Sequence, residues 1–167
     1  MMKNRRNFNP EDIKLEIEEF KNKNKNIILG TISKDNEINV TNAIYLNCDG
    51  QDYMFISEIG DHYQNLKNRN QDFEVMFIQD ENEATNPLAR KRLRYKTDAE
   101  FLARDETFNL VLDRFEEKLG DVIKVVRKME DFHLVKLNFK DGRFVKGFGQ
   151  AYILKGIDIF QMTGDKK

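Results

Sequence analysis

Residues 26–57 read NIILGTISKDNEINVTNAIYLNCDGQDYMFIS, and this stretch decides the fold. NIILGTIS is rich in β-branched residues, KDNE is a polar turn, and in INVTNAIYL the residues Ile38, Val40, Asn42, Ile44 and Leu46 alternate with other side chains. Branched side chains fit a pleated surface and period-two alternation marks a strand, so the two segments form an antiparallel hairpin. Asp49-Gly50 is a second turn signal and YMFIS a third strand. Three strands therefore meander before any long helix intervenes.

Working outward, Pro10 opens EDIKLEIEEFKNK, where Ile13, Ile17 and Phe20 recur at helical spacing. Acids fill its first turn and lysines its end, as the helix dipole prefers. Glu58 to Asn70 reads as a short helix with Ile59, Tyr63 and Leu66 on one side, and FEVMFIQ as a fourth strand. LARKRLRYKTDAEFLARD is a long fifth strand, whose length suits a bend from one half of a barrel into the other. Thr107 to Met129 is helical in two pieces broken near Gly120. Asp131 to Phe139 returns to strand, Asp141-Gly142 is a turn, and RFVKGFGQAYIL supplies a last strand pair. The partly apolar tail GIDIFQMTGDKK is expected to dock, on this chain or a second subunit. Sparse helices among meandering strands predict a mainly β, α+β fold: one antiparallel barrel domain over residues 1–167, with an N-terminal helical segment 1–25 and a tail 155–167.

The 167 residues carry a net charge of −1, so no global field favours nucleic acid or membrane, and an anion site must be local. One cysteine, Cys48, excludes an internal disulfide, and no Cys or His pair stands at metal-ligand spacing. Charged residues follow the basic start where a secretory leader would be apolar, so the expected location is the cytoplasm. With two histidines and one cysteine, nucleophilic hydrolysis has few possible players. Gly147-Phe148-Gly149 lacks the third glycine and following helix of a dinucleotide fingerprint.

The sharpest local feature is Ala89 to Tyr95, ARKRLRY. Strand alternation would place Arg90, Arg92 and Arg94 on one face. Three guanidinium groups there repel one another unless the face is solvated or an anion sits on it, and Arg offers a planar donor fork suited to phosphate or carboxylate. Ser57 and His62 fall where a strand meets a helix, a place for either an ordinary cap or an anion site. Asp131 and His133, two apart on a strand, share a face, so the carboxylate could orient the imidazole; a satisfied, half-buried histidine is the plainer reading.

Taken together, SEIGDHYQNLKNRNQDFEVMFIQDENEA, ARKRLRY and DFHLVKLNFKDGRFVKGFGQAY resemble the HugZ/HutZ family of bacterial haem-utilisation proteins, in order from about Gly30 to Tyr152. The resemblance implies a split barrel of the FMN-binding, pyridoxamine phosphate oxidase type, a homodimer with ligand clefts between subunits, and haem as the bound cofactor, with oxidative opening of the porphyrin as the linked activity. It implies an aspartate supporting the iron ligand, here Asp131, and a haem-facing arginine, here Arg92 with Arg90 second. Arg90, Lys91, Arg92, Ser57 and His62 are then the cofactor-binding candidates. The family's iron-ligating tail histidine has no counterpart in residues 155–167, which leaves Met162, His62 and His133 as candidates for the metal. The alternatives are FMN on the same fold, its phosphate held by Arg90, Lys91, Arg92 and Ser57, and a non-catalytic haem store or delivery protein.

Overall fold

The computed structural model describes residues 8–162. The first seven residues of the expected N-terminal segment and residues 163–167 of the tail lie outside them. Helix α1 (Pro10–Lys23) starts with the Asn9 side chain accepting from the Glu11 amide and buries Ile13, Ile17 and Phe20. Strands β1 (Asn26–Ile32), β2 (Ile38–Cys48) and β3 (Gln51–Ser57) form the expected meander. Helix α2 (Asp61–Asn68), β4 (Phe73–Ile78), β5 (Arg92–Phe101), helices α3 (Glu106–Leu119) and α4 (Val122–Val126), and strands β6 (Phe132–Gly147), β7 (Gln150–Lys155) and β8 (Asp158–Gln161) follow.

The sheet runs β3-β2-β1-β4-β5-β6-β7-β8, every pairing antiparallel, and β3 also pairs with β6. Six strands thus close into a barrel, and β7–β8 extends from it as a hairpin. Ile27, Leu29, Tyr45, Val75, Phe77, Leu93 and Phe144 point inward as the main core, with α1 across one end. A second core packs Phe108, Val111, Leu112 and Phe115 of α3 against Phe55 and Leu134.

Several sequence expectations need correction. Asp141-Gly142 is not a turn: β6 runs through it without interruption. A Cβ at Gly142 would collide with the Arg94 carbonyl oxygen and the Tyr95 ring. The glycine serves a close approach of β5 and β6, where their register slips between Tyr95 and Thr97 and the long fifth strand bends. Helix α2 begins at Asp61, and Ile59 ahead of it is 90% exposed. On β2 the alternating set Ile38, Val40 and Asn42 faces outward, while Ala43 and Tyr45 take the interior. The tail returns as β8 onto β7 of its own chain.

A buried ionic group ties α1 to the barrel. Lys21 Nζ stands 3.3 Å from Asp52 Oδ1, which also accepts from the Tyr45 hydroxyl and from Asn47 Nδ2 at 3.0 Å. Burial and the Asp52 carboxylate push the Tyr45 phenol far above its ordinary range, so it stays a donor.

Candidate functional site

Directly paired residues on neighbouring strands point to the same side of a sheet. The register therefore lays Ile28, Met76, Arg94, Arg143, Ile153 and Phe160 in one row across the barrel's outer face. The adjacent row carries Ile78, Arg92, Val145 and Ala151. Ile38 and Val40, 76% and 71% exposed, extend the face over β2. Large branched apolar side chains left in water on one barrel wall mark a surface that is covered in use.

The charge on this face is one-sided. Arg94 and Arg143 are direct cross-strand partners, an arrangement that costs energy in like-charged pairs. Arg94 Nε has a carboxylate, Glu74, only at 3.8 Å. Among the described residues neither Arg92 nor Arg143 has an ion-pair partner. Arg92 Nη1 donates to the Arg90 carbonyl at 3.1 Å, and the remaining guanidinium donors of the stripe suit an external anion.

Arg90 departs from the expected triplet. The chain makes a short 3-10 turn at Pro87–Ala89 and β5 begins only at Arg92, so strand alternation does not reach Arg90. Its Nε donates to the Gln79 carbonyl, and the Lys91 amide donates to Gln79 Oε1 at 3.0 Å. Arg90 and Lys91 form one rim of a cleft of about 700 Å³, bounded by the end of α1 and by the outward side chains Ile28, Met76 and Ile78. That volume lies within the usual range for small-molecule sites. The cleft opens onto the same outer face.

Ser57, Asp131 and His133 form a second group. Ser57 Oγ donates to Asp131 Oδ2 at 3.3 Å and accepts from the Ile59 amide, closing the turn after β3 rather than capping α2, whose N-cap is Gly60. His133 Nε2 meets Glu58 Oε1 at 2.7 Å, so the carboxylate beside the imidazole is Glu58 and not Asp131. The ring stacks on Tyr63 with centroids 4.9 Å apart. This group is remote from Arg92 within one chain: Ser57 pairs with Phe132 and Arg92 with Val145, thirteen positions further along β6. One phosphate therefore cannot meet Ser57 and Arg92 of the same protomer, so the four-residue phosphate site expected for FMN is not assembled within one chain.

His62 lies inside the fold, under α2. Its Nδ1 is 2.9 Å from Thr41 Oγ1, on the inward face of β2, the reverse of the side that carries Val40. A Cβ at Gly60 would strike its ring, so the glycine makes room for it. Burial holds the imidazole below its ordinary value, with Asp61 opposing. On acidification the unfolded chain takes up this proton first. The stabilisation is complete above the unfolded value of about 6.5 and is lost as pH falls through it toward the lower folded value. Thermal melts from about pH 7.5 to about 5.5 should therefore show a steeper fall in Tm for the parent than for His62→Gln.

Met162 follows β8, and its amide donates to the Ala151 carbonyl at 2.8 Å. It thus stands in line with Arg92, Val145 and Ala151 on the outer face. Arg143, Glu58 and Tyr63 had no signal of their own in the sequence, because each acquires meaning only through a cross-strand or turn neighbour. Cys48 is buried, which pushes its thiol up and leaves it unreactive. Among the described residues no group of three or more His, Cys, Asp or Glu side chains is placed to hold a metal ion.

Known proteins agree with this geometry. The family model for pyridoxamine 5′-phosphate oxidase matches residues 13–146. Haem oxygenase HutZ of Vibrio cholerae is 36% identical over 145 residues, covering 86% of this chain and 82% of the relative. The crystal structure of Campylobacter jejuni ChuZ superposes with a TM-score of 0.90 at 38% identity, over 97% of this chain and 67% of that one. A crystal structure of Vibrio cholerae HutZ, there described as a haem storage protein, gives a TM-score of 0.72 at 33% identity, over 80% of this chain and 94% of that one.

Proposed function

Because this chain belongs to the pyridoxamine 5′-phosphate oxidase family, and within it to the haem-utilisation branch that includes HutZ, we propose that it is a haem-binding protein of haem utilisation that works in the cytoplasm as a homodimer. The observation that carries the reading is the outer face, where the guanidinium groups of Arg92 and Arg143, without ion-pair partners among the described residues, and the loosely paired Arg94 adjoin exposed apolar side chains. Haem is a flat apolar plate with two carboxylates on one edge. Arg92, Arg94 and Arg143 suit the propionates, while Ile28, Met76, Ile78 and the hairpin residues Ile153 and Phe160 suit the ring. A second copy supplies the cover over Ile38 and Val40. Arg92 and Asp131 stand too far apart along β6 to meet one ligand within a single chain, so the reading draws them from different copies. Of the candidate iron ligands, Met162 is favoured by its place on the Arg92 row; His62, on α2, is buried against Thr41 on the inward face of β2, and His133 is engaged by Glu58.

Haem itself supplies iron and oxygen chemistry when bound, and the chain contributes anchoring, orientation and exclusion of water. Titration with hemin should shift the Soret band relative to free hemin; an unshifted spectrum rejects the proposal, and a yellow preparation absorbing near ~450 nm would replace haem with flavin. Arg92→Ala should weaken hemin binding about tenfold to hundredfold, the cost of losing a charge-assisted hydrogen bond. Adding reductant and oxygen to the complex then separates the two roles. Bleaching of the Soret band with release of iron identifies an oxygenase, and a persistent band identifies a store or carrier.

A further inference from the structure

Arg104 lies between β5 and α3, and its side chain reaches across to the segment that joins α4 to β6. Nη1 donates to the Arg127 carbonyl at 2.8 Å. Nη2 donates to the carbonyls of Met129 and Phe132, the latter at 2.9 Å. The guanidinium lies 4.6 Å from the centroid of the Phe108 ring, which fixes its plane. Three carbonyls at a helix end, in the following turn and at a strand start are thus held by one group, and Asp131 sits between the second and third. From the other side, the Asp131 carbonyl accepts from the Glu58 amide at 2.9 Å and its Oδ2 accepts from Ser57. The start of the segment is tied back to α4 by the amides of Arg127, Lys128 and Met129 and to α3 by the Arg127–Asp113 pair, whereas Phe132 N to Met129 O at 3.3 Å is the backbone bond that spans Asp131.

We propose that Arg104 is a positioning residue for Asp131: by clamping the carbonyls of Arg127, Met129 and Phe132 it fixes where that carboxylate stands. The inference rests on the reading of Asp131 as a haem-site residue. A planar fork suits the task, because its two terminal nitrogens divide the three carbonyls between them, whereas a lysine ammonium would have to draw all three to a single point. Arg104 is itself exposed, so removing it leaves no buried charge behind and the barrel stays folded.

The test is a double-mutant cycle on the full chain, with Arg104→Gln, Asp131→Asn and the pair, read by hemin affinity, Soret position and the Tm of the hemin-free protein. Arg104→Gln is expected to reproduce at least half of the spectral shift and affinity loss of Asp131→Asn, and to add less than about 1.5-fold in affinity once Asp131 is already changed, as coupled sites do. Arg104→Lys is expected to fall between parent and Arg104→Gln, and it carries the test if the glutamine variant does not fold. Two independent, multiplying effects would overturn the proposal, as would a lowered Tm with parental hemin spectra. In both of those cases Asp131→Asn still perturbs hemin, so the reading of Asp131 survives. If Asp131→Asn itself leaves affinity and spectrum unchanged, that reading falls and the role of Arg104 falls with it.

Discussion

Replacing Asp52 with alanine should destabilise the folded chain by about 3–5 kcal/mol, the usual cost of stripping one partner from a buried ion pair. Lys21 is only 5% exposed and enters the barrel end from α1. Without Asp52 its ammonium keeps only Glu18, at 3.2 Å and largely in water. The Tyr45 hydroxyl and Asn47 Nδ2 lose their shared acceptor in the same step. Denaturant unfolding at neutral pH measures the loss. The decisive control is Lys21→Met combined with Asp52→Ala, which removes the orphaned charge and should recover a large part of the stability. If the single variant unfolds like the parent, the pair does not anchor α1.

A single aspartate at Val40 should convert the proposed homodimer to a monomer. Val40 is 71% exposed in the isolated chain, so a carboxylate there costs the fold almost nothing. Buried against a second copy it would be desolvated, a penalty of several kcal/mol that weakens association about a thousandfold or more. Sedimentation should show halved mass with unchanged circular dichroism. Hemin affinity should fall alongside, because the proposed site draws Arg92 and Asp131 from different copies. Leu110→Asp, on exposed α3 and off this face, should leave the mass unchanged. A Val40→Asp protein that remains dimeric would move the interface elsewhere.

The barrel was legible in the sequence because its strands follow period two and its turns carry Asn, Asp and Gly. α1 was legible from three apolar residues at helical spacing, and the break at Gly120 from a glycine that now shows φ of 85°. Register was not legible. Nothing local to Asp141-Gly142 distinguishes a turn from a strand that must pass close to β5, and nothing local to Arg143 reveals Arg94 opposite it. Arg90 was misplaced for a related reason: alternation was extended through a segment that Pro87 had already bent into a turn. At His133 the nearest carboxylate along the chain was not the nearest in space, since the turn after β3 delivers Glu58. Side chains with the right chemistry could be listed from the sequence, whereas which of them meet depends on distant pairings such as Glu58 with His133, 75 positions apart.

The pairing of β3 with β6 has one more effect. Where β3 pairs with β6 the ring closes on itself, and β8, the strand that ends the sheet, is only four residues long and begins with Asp158. Polymerisation by strand addition therefore has little to grip. In the proposed homodimer copies would meet through their walls, where a two-fold contact consumes the sticky patch on both molecules and growth halts at a pair.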